Sequence, residues 1–200
     1  MSKIKRRSLQ KGDDSNKLLG STRRYYKAYY SARMNLSGRD MSKEELKKEL
    51  DYDKIREEKI RFMENHHAIV LATSYNDRVT ARTVTYASKG LEIYFMSWSH
   101  HKKCVQISGN PKVALVKDNV NIEGLAEILG NPLDDKNKEY AEIYRSKLPR
   151  DFEGFAHKPG MVMVKVTPTF IVSMVRIDGR LYLEHLDLEN KIAYLKNLEE

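Results

Sequence analysis

Segments that alternate apolar and polar residues dominate the chain after residue 67, and they predict short β-strands. Residues 68–75 and 78–86 are rich in apolar and β-branched side chains, and Asn76-Asp77 between them is typical of a tight turn. These two segments therefore predict a β-hairpin. The remaining predicted strands cover residues 91–97, 112–117, 120–129, 161–166 and 169–175, with Pro168 between the last two.

Helices are predicted where apolar residues recur at helical spacing or where capping residues begin a turn. Ser42-Lys43-Glu44-Glu45 has the form of a capping box, and Ile55, Phe62 and Met63 fall on one helical face. The predicted helices cover residues 42–65 with a break near 51–53, then 101–108, 135–148 and 186–198. Strands interrupted by helices in this way predict a mainly β protein with α additions, in which barrel closure removes exposed strand edges.

The net charge of +8 is concentrated at the start of the chain. Residues 1–39 contain eleven Lys or Arg against Asp13 and Asp14, so they carry a net +9 and the rest of the chain carries −1. We interpret residues 1–40 as a basic N-terminal arm and residues 41–200 as one domain. Such an arm is commonly a solvated extension, although its cations are also suited to neutralising nucleic-acid phosphates.

Four tyrosines complicate this interpretation of the arm. They lie at helical i, i+4 spacing among the cations, which suits packing against the body of a partner subunit. We therefore predict a helical N-terminal extension and do not expect nucleic acid to be the main partner. The tyrosines are Tyr25, Tyr26, Tyr29 and Tyr30.

Several classes of protein are excluded by composition. The longest purely apolar run, residues 68–72, is far shorter than the roughly 20 residues that cross a bilayer. The charged residues 1–7 are not followed by an apolar segment, so we expect no secretory signal and a cytoplasmic location. Cys104 is the only cysteine, which excludes internal disulfides and a thiol cluster for zinc.

Two pairs of neighbouring histidines, His66-His67 and His100-His101, are the remaining metal candidates. Adjacent residues of a strand point to opposite faces, and no cysteine or carboxylate cluster accompanies either pair. The sequence therefore predicts no metal site.

A series of short motifs follows in a fixed order over about residues 55–175. The motifs are Ala68-Ile69-Val70-Leu71-Ala72-Thr73, Arg82-x-Val84, Tyr94-Phe95-Met96-Ser97, Lys103 with Asn110-Pro111, Val113-Ala114-Leu115-Val116 and Ile122-Glu123-Gly124. In order and spacing the series resembles the pyridoxamine 5′-phosphate oxidase-like FMN-binding split barrels. The resemblance implies a split β-barrel of six or more largely antiparallel strands, and a homodimer with FMN at the subunit interface.

The resemblance also implies which residues hold FMN. A flavin phosphate needs charge-assisted donors, and the planar fork of Arg82 is suited to two phosphate oxygens. Lys103 matches a phosphate ligand and Lys102 a second cation, near the start of a helix whose amide end is positive. The histidines at 100 and 101 are either ribityl or phosphate neighbours or turn residues. The complete implied set is Arg82, Thr83, Val84, Thr85, Met96, Ser97, Lys102, Lys103 and Asn119.

The chain departs from true pyridoxamine phosphate oxidases at two places. Ala87 stands where those enzymes have a Lys, and their C-terminal Arg-x-His pattern with a nearby Trp is not matched by Arg180 to His185, since Trp98 is the only Trp. We therefore predict a divergent FMN-dependent oxidoreductase with an unknown substrate and no identified catalytic residue. A flavin- or haem-binding or sensing protein without turnover is the alternative.

Overall fold

The computed structural model describes residues 48–197. The predicted basic arm and the capping box at Ser42 lie outside this range. Within it, ten strands form one antiparallel sheet. They are β1 Lys48–Leu50, β2 Ala68–Tyr75, β3 Arg78–Thr85, β4 Ala87–Lys89, β5 Glu92–Trp98, β6 Lys112–Lys117, β7 Val120–Gly130, β8 Met161–Ile177, β9 Arg180–Asp187 and β10 Ile192–Asn197.

The helices of the described range lie between these strands. The side chain of Asp51 accepts a hydrogen bond from the Lys54 amide at 3.0 Å and so caps the first helix, which begins where the sequence predicts a break. Residues 48–50 are strand β1, which corrects the prediction of helix there. The helices are α1 Tyr52–Glu64, α2 Lys102–Gly109, α3 Lys138–Lys147 and α4 Pro149–Phe155, with a 3₁₀ turn at Asp135–Asn137 before α3.

The strands follow the order β1-β10-β9-β8-β7-β6-β2-β3, and β5 pairs with both β8 and β4. The long strand β8 changes partners along its length, because residues 161–166 pair with β5 and residues 170–177 pair with β9. On its other side, residues 163–173 of β8 pair with β7. This exchange of partners curls the sheet around a core, and the predicted β class with α additions is confirmed.

Pro168 does not separate two strands as the sequence predicted. It lies inside β8, at a bulge where Gly124 of β7 pairs with it and Thr169 has no partner in the register. A Cβ at Gly124 would lie 2.6 Å from the carbonyl oxygen of Thr167, so only glycine allows this close approach. The bulge tolerates a proline because the ladder is already interrupted there.

The predicted helix over 186–198 is wrong, since its described residues, 186–197, form the end of β9, a turn and β10. Asp187 closes the turn by accepting hydrogen bonds from the amides of Glu189 and Asn190 at 3.1 and 2.9 Å. Ala193, Tyr194 and Leu195 are all buried. Both faces of β10 are therefore covered, which removes the period-two alternation that identifies a half-exposed strand.

The core lies inside the curled sheet and beneath α1. Some of its most buried side chains, such as Ile69 and Leu71 of β2, come from alternate positions of a strand, as the pleat predicts. Met63 of α1 packs on this core, and the hydroxyl of Tyr86 donates to the Met63 carbonyl oxygen at 3.0 Å. Members that are at most 1% exposed include Ile69, Leu71, Ile93, Phe95, Leu115 and Ile122.

Candidate functional site

A cleft of about 170 Å³ opens where the end of β3 and the end of β5 meet the start of α2 and the helices α3 and α4. Its walls combine aromatic and sulfur-containing side chains with a cation and a carboxylate. Trp98 contacts Phe155 edge to face at a centroid distance of 5.7 Å. The cleft is lined by Thr85, Met96, Ser97, Trp98, His101, Lys103, Tyr144, Asp151, Phe155 and Met161.

Lys103 is the cation of the cleft. Burial lowers the pKa of Lys103, and the nearby Arg82 lowers this pKa further by charge repulsion. The ammonium nitrogen lies 3.5 Å from Nδ1 of His101. No carboxylate of residues 48–197 forms an ion pair with Lys103, so its charge is available to an anionic ligand.

Arg82 is held firmly beside Lys103. Its guanidinium donates to the hydroxyl of Thr73 at 2.7 Å and to the carbonyl of Leu71 at 3.3 Å, and it also donates to the hydroxyl of Thr80. Both threonine hydroxyls in turn donate to Oε1 of Gln106 on α2, at 2.7 and 2.6 Å. The polar network therefore fixes both the guanidinium and the helix that carries Lys103.

Arg82 retains donors for a further acceptor. These contacts use three of the five N–H groups of a guanidinium, and no carboxylate in the described part of the chain pairs with it. Burial lowers the pKa of Arg82, which nonetheless stays charged. Two neighbouring cations without acidic partners fit a dianionic group such as a phosphate monoester.

Asp151 provides an acidic group in the same cleft. Its carboxylate accepts a hydrogen bond from Thr85 at 3.3 Å, and the Thr85 hydroxyl lies 3.4 Å from that of Tyr144. Burial raises the pKa of Tyr144, and the charge of Asp151 raises it further. The cleft thus carries one unpaired cation and one unpaired carboxylate among the described residues.

The structure brings together four of the predicted site residues. Thr85, Met96, Ser97 and Lys103 line the cleft, and Arg82 lies close enough for its charge to lower the pKa of Lys103.

The other predicted residues do not line the cleft. Thr83 and Lys102 are exposed, and Val84 packs in the core. Asn119 lies in the turn between β6 and β7, where its side-chain amide donates to the carbonyl of Met174. Val84 faces the core and Thr85 lines the cleft because successive side chains of β3 point to opposite sides of the strand.

Sequence reasoning missed the α3 and α4 contributions to the cleft. Asp151 and Phe155 come from the seven-residue α4, Pro149–Phe155, in a stretch where no helix or strand is predicted. Pro149 at the first helical position was the available signal for this helix. Trp98 directly follows the predicted Ser97 and could have been included on that ground.

A second groove of about 540 Å³ lies between α1, α3 and the turn from β4 to β5. Every charged side chain that lines it has an ion-pair partner. Lys89 pairs with Glu139 at 2.6 Å, Glu92 pairs with Lys165 at 2.7 Å, and Arg56 lies 3.4 Å from Glu57. The hydroxyl of Tyr94 also donates to Glu92, at 2.5 Å. The charges of the second groove are thus satisfied within the chain.

Residues 48–197 contain no group of three His, Cys, Asp or Glu side chains placed to bind a metal ion. In the same range, each helix is too short and too polar to span a bilayer. His100 and His101 contact each other edge to face at 5.0 Å, and His101 lies 5.2 Å from the Trp98 ring.

Comparisons with known proteins identify the fold. No family model matches the sequence, and no curated protein matches it by sequence. Among solved structures, ChuZ of Campylobacter jejuni aligns with a TM-score of 0.57 and 14% identity over 74% of this chain and 65% of that one. A haem-binding protein of Mycobacterium smegmatis aligns with a TM-score of 0.50 and 14% identity over 66% of this chain and 56% of that one.

A third structure carries the family name. It is a protein of Clostridium acetobutylicum related to general stress protein 26 of the pyridoxinephosphate oxidase family, with a TM-score of 0.52 and 16% identity over 71% of this chain and 99% of that one. At these identities the similarity concerns the fold. The chain therefore has the fold of the pyridoxamine 5′-phosphate oxidase-like split-barrel proteins, as its sequence motifs predicted.

Proposed function

We propose that this protein is an FMN-binding flavoprotein and an oxidoreductase, which binds FMN between the two subunits of a homodimer. The observation that carries the proposal is the pair of cations, Arg82 and Lys103, that has no acidic partner in the described chain and lies beside an aromatic cleft. The structural similarity to split-barrel proteins supports it.

The phosphate of FMN suits the cation pair. A partly buried lysine whose pKa is lowered regains its preference for the charged form when a phosphate lies next to it. The threonine network holds Arg82 in place before binding, so little side-chain entropy is lost when the phosphate arrives. Lys103 and Arg82 would therefore contribute affinity as well as orientation.

The ring system of FMN suits the rest of the cleft. Met96, Trp98 and Phe155 offer apolar surface to a flat aromatic group, and Phe155 is 43% exposed in this chain. When bound, FMN supplies the electron and hydride chemistry, while the protein binds and orients it.

The cleft is small for a cofactor site, and a second copy of the chain would complete it. Ligand pockets for cofactors commonly enclose about 300–1,000 Å³, whereas this cleft encloses about 170 Å³. Strand β3 pairs only with β2 in the described range, and Val79 on β3 is 69% exposed. Packing of a second subunit near this edge would cover it and supply the missing wall.

One observation favours haem as a second candidate ligand. His101 lines the cleft, and burial lowers its pKa, which favours the neutral imidazole that binds iron. The haem-binding protein of M. smegmatis shares the fold. In this alternative the protein holds haem or flavin without turnover.

Reconstitution distinguishes the two ligands. The protein is purified, mixed with FMN, freed of excess by gel filtration, and examined by visible absorption; a parallel sample receives haem. Retention of about one FMN per chain in a dimer-sized peak is the expected result. Failure to retain FMN would overturn the proposal, and a retained haem spectrum that is lost in His101→Ala would favour the alternative.

A further inference from the structure

The helix α4 directs an acidic group into the cleft, and the FMN phosphate site does not use it. Asp151 and Phe155 are four residues apart and share the helix face that lines the cleft, whereas Phe152 and Ala156 share the face that packs into the core. Asp151 is in the first turn of α4, where the helix dipole also stabilises a carboxylate. Its one hydrogen bond within the described chain nevertheless goes across the cleft to Thr85.

The basic residues around α4 do not neutralise Asp151. Arg145 pairs with Glu153 at 2.6 Å, on the side of α4 away from the cleft. Arg150 is adjacent in sequence, and neighbouring residues of a helix do not face each other. Among residues 48–197, no Lys, Arg or His lies within ion-pair distance of Asp151.

The oxygen atoms of Asp151, Thr85 and Tyr144 have more acceptor positions than hydroxyl protons to fill them. Thr85 and Tyr144 each have one hydroxyl proton, whereas the carboxylate alone has about four lone-pair positions. The contacts of 3.3 and 3.4 Å are long for O–H···O bonds and leave these positions incompletely used. A ligand with N–H donors and a positive charge complements this group of three oxygens.

The neighbouring walls are also suited to a cation. Trp98 and Phe155 place aromatic rings beside the acidic group, and aromatic faces attract ammonium groups. Lys103 in the same cleft favours an anion, so the cleft offers both an anion-binding and a cation-binding side. The first suits the cofactor and leaves the second for the substrate.

We infer that Asp151, with Thr85 and Tyr144, forms a substrate subsite that binds the ammonium group of a small amine-bearing substrate, an inference that rests on the proposed function. The carboxylate binds and orients the ammonium group of the substrate. Neutral and anionic analogues of the same shape lack this interaction and bind more weakly.

The test compares probes that differ in charge. FMN-loaded protein is titrated calorimetrically with benzylamine, which is protonated at neutral pH, and with benzyl alcohol, its neutral counterpart. Benzylamine is expected to bind about tenfold or more tightly than benzyl alcohol, because hydrogen bonds to charged groups contribute about 1.5–3 kcal/mol. Asp151→Asn, compared in protein that retains FMN, should remove this preference.

Glu153→Gln is the matched control, since it removes one carboxylate from the same helix outside the cleft. It should keep the preference for benzylamine. Equal binding of the two probes, or a preference that survives Asp151→Asn in a protein of unchanged melting temperature, overturns the inference and leaves FMN binding intact. A protein that retains no FMN overturns the proposed function, and the inference with it.

Discussion

The cleft and the second groove differ in how their charged residues are satisfied. The second groove encloses about 540 Å³ against about 170 Å³ for the cleft, yet each charged residue that lines it already has an ion-pair partner. In the smaller cleft, Lys103 and Asp151 have no such partner within residues 48–197. Partly buried charge is costly unless it is compensated.

The absence of ion-pair partners for the charged residues of the cleft identifies a ligand site better than the volume of a cavity does. In the second groove, Glu92 binds both Lys165 and the hydroxyl of Tyr94, so its carboxylate stabilises the contact between β5 and β8. In the cleft, the same kinds of side chain are held in place but not neutralised, which is how functional sites commonly differ from structural ones.

The largest effect is expected from removing the cations of the cleft. Lys103→Ala should weaken FMN binding by about ten- to a hundredfold, and the double variant with Arg82→Ala should weaken it further, because each charge-assisted hydrogen bond contributes about 1.5–3 kcal/mol. Fluorescence quenching of FMN measures the affinity. Lys89→Ala, which removes an exposed lysine of the second groove, is the matched control and should leave the affinity unchanged.

Equal FMN affinity in Lys103→Ala and Lys89→Ala would contradict the comparison, because it would show that the unpaired lysine binds no phosphate.

Arg82→Lys separates the effect of the charge of Arg82 from the effect of its geometry. A lysine cannot replace the guanidinium contacts to Thr73, Thr80 and Leu71, so FMN affinity should fall although the charge is retained.

A smaller effect, on stability rather than binding, is expected in the second groove. Glu92→Ala leaves the buried hydroxyl of Tyr94 without its acceptor and Lys165 without its partner. The free energy of unfolding should fall by about 1–3 kcal/mol, the cost of an unsatisfied buried polar group. Urea denaturation measures it, and FMN affinity should not change.

Glu139→Ala is the control for this second prediction. Glu139 pairs with Lys89, and both side chains are more than half exposed, so breaking that pair should cost less than breaking the Glu92 contacts. If the two variants were equally stable, the contacts of Glu92 would not be structural, and the distinction between the two regions would be lost.

Local patterns in the sequence predicted most of the barrel. The β2–β3 hairpin, β6, β7 and the short helix α2 follow alternation and turn residues that act within a few positions. The prediction failed at β10, where tertiary packing covers both faces of the strand, and at Pro168, where the partner strand supplies a glycine that accommodates the bulge. These outcomes depend on contacts between distant residues.

The residues of the candidate site also divide into those that sequence motifs indicate and those that contacts between distant residues bring in. Arg82, Met96, Ser97 and Lys103 belong to motifs whose order resembles a known fold, so the sequence could indicate them. Asp151 and Tyr144 reach the cleft only because α3 and α4 lie beside Thr85 at the end of β3, although they come about 60 residues later in the chain. No local pattern marks these two residues as members of a site.

The smallest expected effect is a difference in lysine titration between the two regions. The hydrogen bond to Glu92 raises the pKa of Lys165, whereas burial and then the charge of Arg82 lower the pKa of Lys103. As pH rises, Lys103 should therefore lose its proton before Lys165 does. Carbon-13 NMR of the lysine Cε groups, assigned with Lys103→Arg and Lys165→Arg, follows both titrations.

Adding inorganic phosphate to the same NMR titration tests whether Lys103 belongs to an anion-binding site. Phosphate bound at Lys103 favours the protonated lysine, so its pKa should rise, and by linkage the affinity for phosphate should fall as pH passes through that pKa. Lys165 already has a carboxylate partner and should not respond. If phosphate shifted both lysines equally, it would be acting as general ionic strength, and the unpaired charge of the cleft would not be a binding site.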